Sequence, residues 1–227
     1  MELSIIRHAQ SLRNALTNGW RYSGPPEQRE LLNFPDHKVD ITKEGFEQSK
    51  KSGPGITAAI TPDIIITSGY ARTDQTLAGI KEGSDSWKDI PVKKDLLIRE
   101  RENGYTWCQL DIPHHEFFPF LNPYWEQLGP FFARPVGGES ILDLIEKRIH
   151  RFLDKIRRKY SGKKICLVTH GRVLTGIRAV LEDLSVEEVE KILKSKTDSP
   201  ANVGLTVYRY SPWSGRLELV FYNKTFY

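Results

Sequence analysis

Leu3-Ser4-Ile5-Ile6-Arg7-His8 near one end of the chain and Ile165-Cys166-Leu167-Val168-Thr169-His170-Gly171 near the other decide the fold. Each begins as an apolar run too short for a helix, and each delivers a histidine at its C-terminal end. Short continuous apolar runs are the pattern of strands buried on both faces, as in parallel sheets. A third run, Asp63-Ile64-Ile65-Ile66-Thr67-Ser68, is followed four residues on by Arg72. In an open α/β sheet the ligand site lies beyond the C-terminal ends of the strands. Arg7, His8, Arg72 and His170, far apart in sequence, are therefore expected in one crevice.

Between these strands the periodicity changes. A helix is expected from Ser11 to about Thr17, then a long loop over 19–40. Thr42 caps a second helix through about Ser52, with Gly53-Pro54-Gly55 read as its end. A helix over 70–80 follows the third apolar run, and Pro91 to Ile98 holds an edge strand. Ile141, Ile145, Ile149, Phe152, Ile156 and Tyr160 mark one face of a helix that Ser140 and Asp143 cap and Gly162 stops. Helices near 172–181 and 185–194 come next, the latter opened by a Ser185/Glu188 capping box. Strands over 202–210 and 216–223 form a hairpin. Residues 103–138 lack clean periodicity, carry five prolines and are too aromatic for a disordered linker. They are expected to form an inserted lid or subdomain over the sheet. The fold class is α/β: a three-layer α/β/α sandwich with a mostly parallel central sheet, in a single domain over 1–227.

The chain has 227 residues, 39% hydrophobic and 27% charged, which is ordinary for a globular domain with a sizeable core. No apolar stretch approaches the roughly 20 residues of a membrane helix, and no leader pattern precedes Leu3. Cytoplasmic location, no membrane partner and reduced thiols at Cys108 and Cys166 are the expectations. The net charge of +4 is spread thinly. Clusters such as Lys155-Ile156-Arg157-Arg158-Lys159 suit a helix C-terminus, and no basic run alternates with aromatics, so no nucleic-acid partner is expected. His114-His115 has no partner motif and reads as loop. Nothing in the sequence specifies an oligomeric state.

At the strand ends lie Arg7, His8, Gln10, Ser11 and Asn14, then Ser68 and Arg72, then Thr169, His170 and Gly171. Arginine forks and a helix start make an anion pocket. A histidine inside it can act as a nucleophile. No Walker loop, HExxH or CxxC pair appears, so P-loop and metal-hydrolase signatures are missing. No cofactor and no metal ligands are expected.

These pieces resemble the histidine phosphatase superfamily, the phosphoglycerate mutase-like proteins. That family's Arg-His-Gly-x-Ser-x-x-Asn is matched by Arg7-His8-Ala9-Gln10-Ser11-Leu12-Arg13-Asn14. Its Leu-Thr-x-x-Gly-x-x-Gln is matched by Ile41-Thr42-Lys43-Glu44-Gly45-Phe46-Glu47-Gln48. Its Ser-Pro-x-x-Arg-x-x-Gln-Thr is matched by Ser68-Gly69-Tyr70-Ala71-Arg72-Thr73-Asp74-Gln75-Thr76. An acidic segment, Ile98-Arg99-Glu100-Arg101-Glu102-Asn103-Gly104, then Gly138-Glu139-Ser140 and Val168-Thr169-His170-Gly171 follow in family order.

The resemblance implies a metal-independent phosphatase acting on a small phosphorylated substrate through a phosphohistidine on His8. By similarity Arg7, Arg72 and His170 hold the phosphoryl oxygens, with Asn14 and Gly171 beside them. Glu100 serves as the acid, and Glu102, two residues away, offers the same chemistry. Two departures stand out: Ala9 replaces a glycine, and Gly69 replaces a proline, which is expected to leave that turn less rigid. A phosphoglycerate mutase-type transfer would use the same pocket. Such mutases usually add an arginine pair and a tyrosine in the insert, whereas 103–138 holds only Arg134. A catalytically silent protein that binds a phosphorylated ligand is the third reading.

Overall fold

The computed structural model describes residues 1–18, 21–32, 35–104, 118–195 and 197–227. Along the chain, β1 (Glu2–Arg7) is followed by α1 (Leu12–Leu16), a small ribbon of β2 (Thr17–Asn18) and β3 (Arg21–Tyr22), and α2 (Lys43–Ala59). Then come β4 (Ile64–Thr67), α3 (Ala71–Gly83), β5 (Val92–Lys94) and α4 (Leu121–Phe132). The third part holds α5 (Ile141–Leu144), a π-helical turn (Ile145–Ile149), α6 (His150–Lys159), β6 (Lys164–Thr169) and α7 (Gly171–Leu181). It closes with α8 (Val186–Lys194), β7 (Leu205–Ser211) and β8 (Arg216–Lys224).

Six strands form one sheet in the order β5-β4-β6-β1-β7-β8. The first four run parallel, while β7 is antiparallel to β1 and β8 to β7. Strand side chains alternate between the two faces, and the core divides accordingly. Leu3, Ile5, Ile64, Ile66, Ile165 and Leu167 pack with Leu144, Ile149, Phe152, Val173 and Ile177 of the helices on one face. Ile6, Ile65, Cys166 and Val168 pack with Ile56, Leu77 and Ile80 of α2 and α3 on the other. These two layers of helices are the expected sandwich. Each fully buried aliphatic side chain contributes about 1.5–3 kcal/mol, so the apolar runs hold the sheet between its layers. Register then aligns the strand ends: Arg7 pairs with Thr169 and Thr67 with Val168.

Three expectations on the elements change. Helix α2 does not stop at Gly53-Pro54-Gly55 but runs through it to Ala59. A Cβ on Gly53 would sit 2.6 Å from the Ile80 carbonyl oxygen, and one on Gly83 only 1.9 Å from that of Lys50. The glycines let α2 and α3 touch backbone to backbone, and this contact outweighs their weak helix propensity. The 19–40 region is not a featureless loop in its described part, which holds β3, paired with β2 just ahead of it, and 3-10 turns at Pro26–Leu32 and Asp36–Lys38. The described part of the 103–138 insert packs on helices: Phe131 of α4 clusters with Ile141, Ile145, Ala179 and Val189. Residues 105–117, with Cys108, His114 and His115, lie outside the described residues. Cys166 is a buried free thiol.

The π-helical turn has a sequence cause. The six apolar positions from Ile141 to Tyr160 lie 19 steps apart over five turns, one more than the roughly 18 of an α-helix at about 3.6 per turn. The turn absorbs that residue, and Ile141, Ile145, Ile149, Phe152 and Ile156 all stay buried.

Candidate active site

His8 and His170, the residues immediately after β1 and β6, have ring centroids 5.2 Å apart in an edge-to-face arrangement. Both are buried. His8 Nδ1 lies 2.7 Å from the carbonyl oxygen of Ala9. A carbonyl can only accept, so Nδ1 carries the proton and Nε2 keeps its lone pair. Burial, then the charges of Arg72 and Arg7, holds the His8 pKa well below its ordinary value. The ring is thus neutral by geometry and by electrostatics, with the lone pair of Nε2 available. Ala9 is fixed in turn, its N–H donating to Thr76 Oγ1 at 2.9 Å. From the other side Asn202 Nδ2 donates to the His8 carbonyl at 2.8 Å, and Val203 N–H to that of Arg7 at 3.0 Å. Val203 does so at φ +55°, a strained conformation for a β-branched residue.

Arg72 Nε donates to His170 Nδ1 at 3.2 Å, which leaves His170 Nε2 as donor to Ser68 Oγ at 2.9 Å. Burial, followed by Arg72, also keeps the His170 pKa well below its ordinary value. The Nη groups of Arg72 are engaged by one residue: Asp36, with bonds to its carbonyl (2.7 Å) and its two carboxylate oxygens (3.0 and 3.2 Å). Tyr70 stacks on the Arg72 guanidinium, and its hydroxyl pKa is pushed up to about 12, mainly by burial and then by Asp36. The turn into α3 is not simply a looser version of the family's proline turn. Gly69 has φ +81°, which proline cannot adopt, so the chain takes a different path to Arg72.

Arg7 donates Nη1 to the Pro200 carbonyl, while its buried Nε has no hydrogen-bond partner among the described residues. A Cβ on Gly171, the first residue of α7, would stand 3.4 Å from that Nε, so Arg7 lies against the start of the helix. Arg172, next along, is half-buried and close enough to Arg7 and Arg101 to lower both pKa values. In each of the three, burial is the largest cause, and the charge of Glu100 opposes it. Crowded, dehydrated guanidiniums are a site for an anion.

Glu100 is the acidic residue that reaches this cluster. Its Oε1 accepts from Arg101 N–H at 2.8 Å, and its Oε2 stands 3.9 Å from His170 Nδ1. Glu102 is exposed. Ligand-capable atoms of His8, Glu100 and His170 lie within 4.8 Å of one another, a donor set that zinc also uses. Here both ring nitrogens of His170 and Nδ1 of His8 are already engaged, and the neighbours are cations, which favours an anion over a metal. Asn14 sits on α1, where its Oδ1 closes the capping box on Ser11 N–H at 3.2 Å. It is not among the groups that join the two histidines.

The structure therefore brings together Arg7, His8, Arg72, Glu100, His170 and Gly171. It adds Asp36, Asn202 and Arg172, which sequence reasoning passed over. Arg172 had a usable signal, its place directly after His170-Gly171. Asp36 lies in a segment without periodicity and had none; Asn202 falls at the start of an expected strand that begins only at Leu205, so nothing marked it for the site.

The family described as histidine phosphatase superfamily (branch 1) matches residues 3–223. A 2,3-bisphosphoglycerate-dependent phosphoglycerate mutase of Bradyrhizobium diazoefficiens is 26% identical over 195 residues, 83% of this chain and 84% of that protein. A 5''-phosphoribostamycin phosphatase of Niallia circulans is 26% identical over 220 residues, 95% of this chain and 92% of its own. Among solved structures, a mycobacterial glucosyl-3-phosphoglycerate phosphatase with inorganic phosphate superposes with a TM-score of 0.69 at 18% identity, over 99% of this chain and 97% of that one. The chain belongs to the histidine phosphatase superfamily.

Proposed function

We propose that the protein is a phosphatase that hydrolyses a small phosphomonoester through a phosphohistidine on His8, without a metal. The observation that carries this reading is the tautomer of His8: with Nδ1 bonded to the Ala9 carbonyl, Nε2 is a neutral, unprotonated nucleophile among arginines. In the first step Nε2 attacks phosphorus and the ester oxygen leaves as an alcohol, taking the proton of Glu100. In the second, Glu100 removes a proton from water, the hydroxide attacks the phosphohistidine, and inorganic phosphate departs. Arg7, Arg72 and the start of α7 neutralise the oxygens throughout, since phosphoryl transfer depends chiefly on positioning and charge neutralisation. His170, neutral and bonded to Arg72 and Ser68, fixes that guanidinium beside the oxygens.

The names of several relatives favour mutase-type transfer as a second reading. Against it, the one arginine of the insert, Arg134, is committed to Asp143 through two bonds of 2.6 and 2.7 Å, leaving it no fork for a substrate carboxylate. The test is phosphate release from a panel of phosphomonoesters in excess EDTA. Turnover at full strength is expected, with no conversion of 3-phosphoglycerate to 2-phosphoglycerate. Loss on chelation with recovery on Mg²⁺ or Zn²⁺ would replace the arginine-based account with a metal-based one.

A further inference from the structure

Gly138-Glu139-Ser140 has no role in the chemistry above, and neither has Arg148. The side chains of Glu139 and Arg148 nonetheless form a polar assembly beside Glu100. Arg148 projects from the π-helical turn and is buried. Its Nε donates to Glu139 Oε1 at 3.0 Å and its Nη2 to Glu139 Oε2 at 2.6 Å. The remaining N–H groups go to backbone: Nη1 to the carbonyls of Leu97 (3.2 Å) and Arg99 (2.7 Å), Nη2 to that of Glu100 (3.3 Å). All five donors of the guanidinium are used. Glu139 grips the other side of the segment. Its Oε2 accepts from Glu102 N–H at 2.9 Å, and its own N–H donates to the Glu102 carbonyl at 2.8 Å. A Cβ on Gly138 would stand 2.5 Å from the Glu102 carbonyl oxygen, so only glycine lets the two chains approach this closely.

We propose that the Arg148–Glu139 pair is the positioning device for the proton donor: it clamps the backbone on both sides of Glu100 and aims that carboxyl at the leaving oxygen. This rests on the acid role of Glu100 argued above. Among the described residues the pair's hydrogen bonds and its ion pair run to segment 97–102 and none to His8, Arg72 or His170; the charge of Arg148 is only the last of the causes that lower the His170 pKa, so its main action is on proton delivery. A buried pair is a poor stabiliser compared with apolar replacements. Its geometry is explained by where it holds Glu100.

The experiment compares wild type, Glu100→Gln, Arg148→Lys and the double variant Arg148→Met/Glu139→Leu in the full chain. The double variant removes both charges together, so neither is left buried alone. Single-turnover phosphorylation of His8 is measured with an alkyl and a nitrophenyl phosphate, together with inhibition by inorganic phosphate. An alkyl alcohol needs a proton on departure and a nitrophenol much less. Glu100→Gln is expected to slow the alkyl ester by about 10²–10⁴-fold and the aryl ester far less. Both Arg148 variants should show the same leaving-group pattern at about 10–10²-fold, with phosphate inhibition within about twofold of wild type. Equal losses for the two esters, no loss, or weakened phosphate binding in the Arg148 variants would overturn the positioning role while the Glu100 result stands. Absence of the leaving-group pattern in Glu100→Gln itself would overturn the acid role, and the inference with it.

Discussion

On the proposed function, Asp36 occupies donors that a phosphoryl group would use. It takes both Nη groups of Arg72, and charge-assisted bonds of this kind are among the stronger ones. An incoming phosphate must displace that carboxylate or forgo the guanidinium fork. Asp36→Asn keeps the shape and removes the competing charge. Its inhibition constant for inorganic phosphate should fall about three- to tenfold, roughly 1 kcal/mol. A rise of the same size would mean that Asp36 instead holds Arg72 in its working position. Residues of this kind mark where sequence reasoning stops. Arg7, His8, Glu100 and His170 were readable because strand ends and family motifs place them. Asp36 reaches the site from a short 3-10 turn and Asn202 from the turn before β7, and only the folded chain brings them there.

Between elements, the chief misreading was Gly53-Pro54-Gly55. A local rule takes the triplet as a helix end, yet α2 continues because Gly53 and Gly83 allow it to lie against α3. The strands were readable because burial on both faces leaves a continuous apolar run, and helix 141–160 because its apolar face persists. Close packing by small residues leaves no period to detect. This makes Gly83→Ala a sharp test. Helix propensity alone would favour alanine by about 1 kcal/mol. The contact with the Lys50 carbonyl predicts destabilisation of about 1–3 kcal/mol, read from urea unfolding. A gain in stability would show that the α2–α3 contact is looser than described.

Across the entire chain, the site sets a pH dependence of folding. His8 and His170 are kept neutral in the folded protein, first by burial and then by Arg72, whereas in the unfolded chain each titrates near 6.5. Below that pH the unfolded state binds protons that the native state does not, so stability falls as the medium is acidified. Each histidine adds up to about 1.4 kcal/mol per pH unit. Unfolding free energies measured between pH 7.5 and 5.5 should drop accordingly, and His170→Gln should have a slope shallower by up to that amount. An unchanged slope in the variant would mean that His170 charges in the folded protein.

The proposed chemistry depends on one atom, Nε2 of His8, and on the lone pair it keeps. Rapid quenching during turnover of a radiolabelled phosphomonoester, followed by peptide mapping, addresses it directly. Acid-labile, base-stable phosphate should appear on the peptide containing His8, forming no more slowly than product and absent from His8→Ala, whose turnover falls below a few per cent. Label on another residue, or turnover that His8→Ala retains, would contradict the assignment of His8 as the nucleophile.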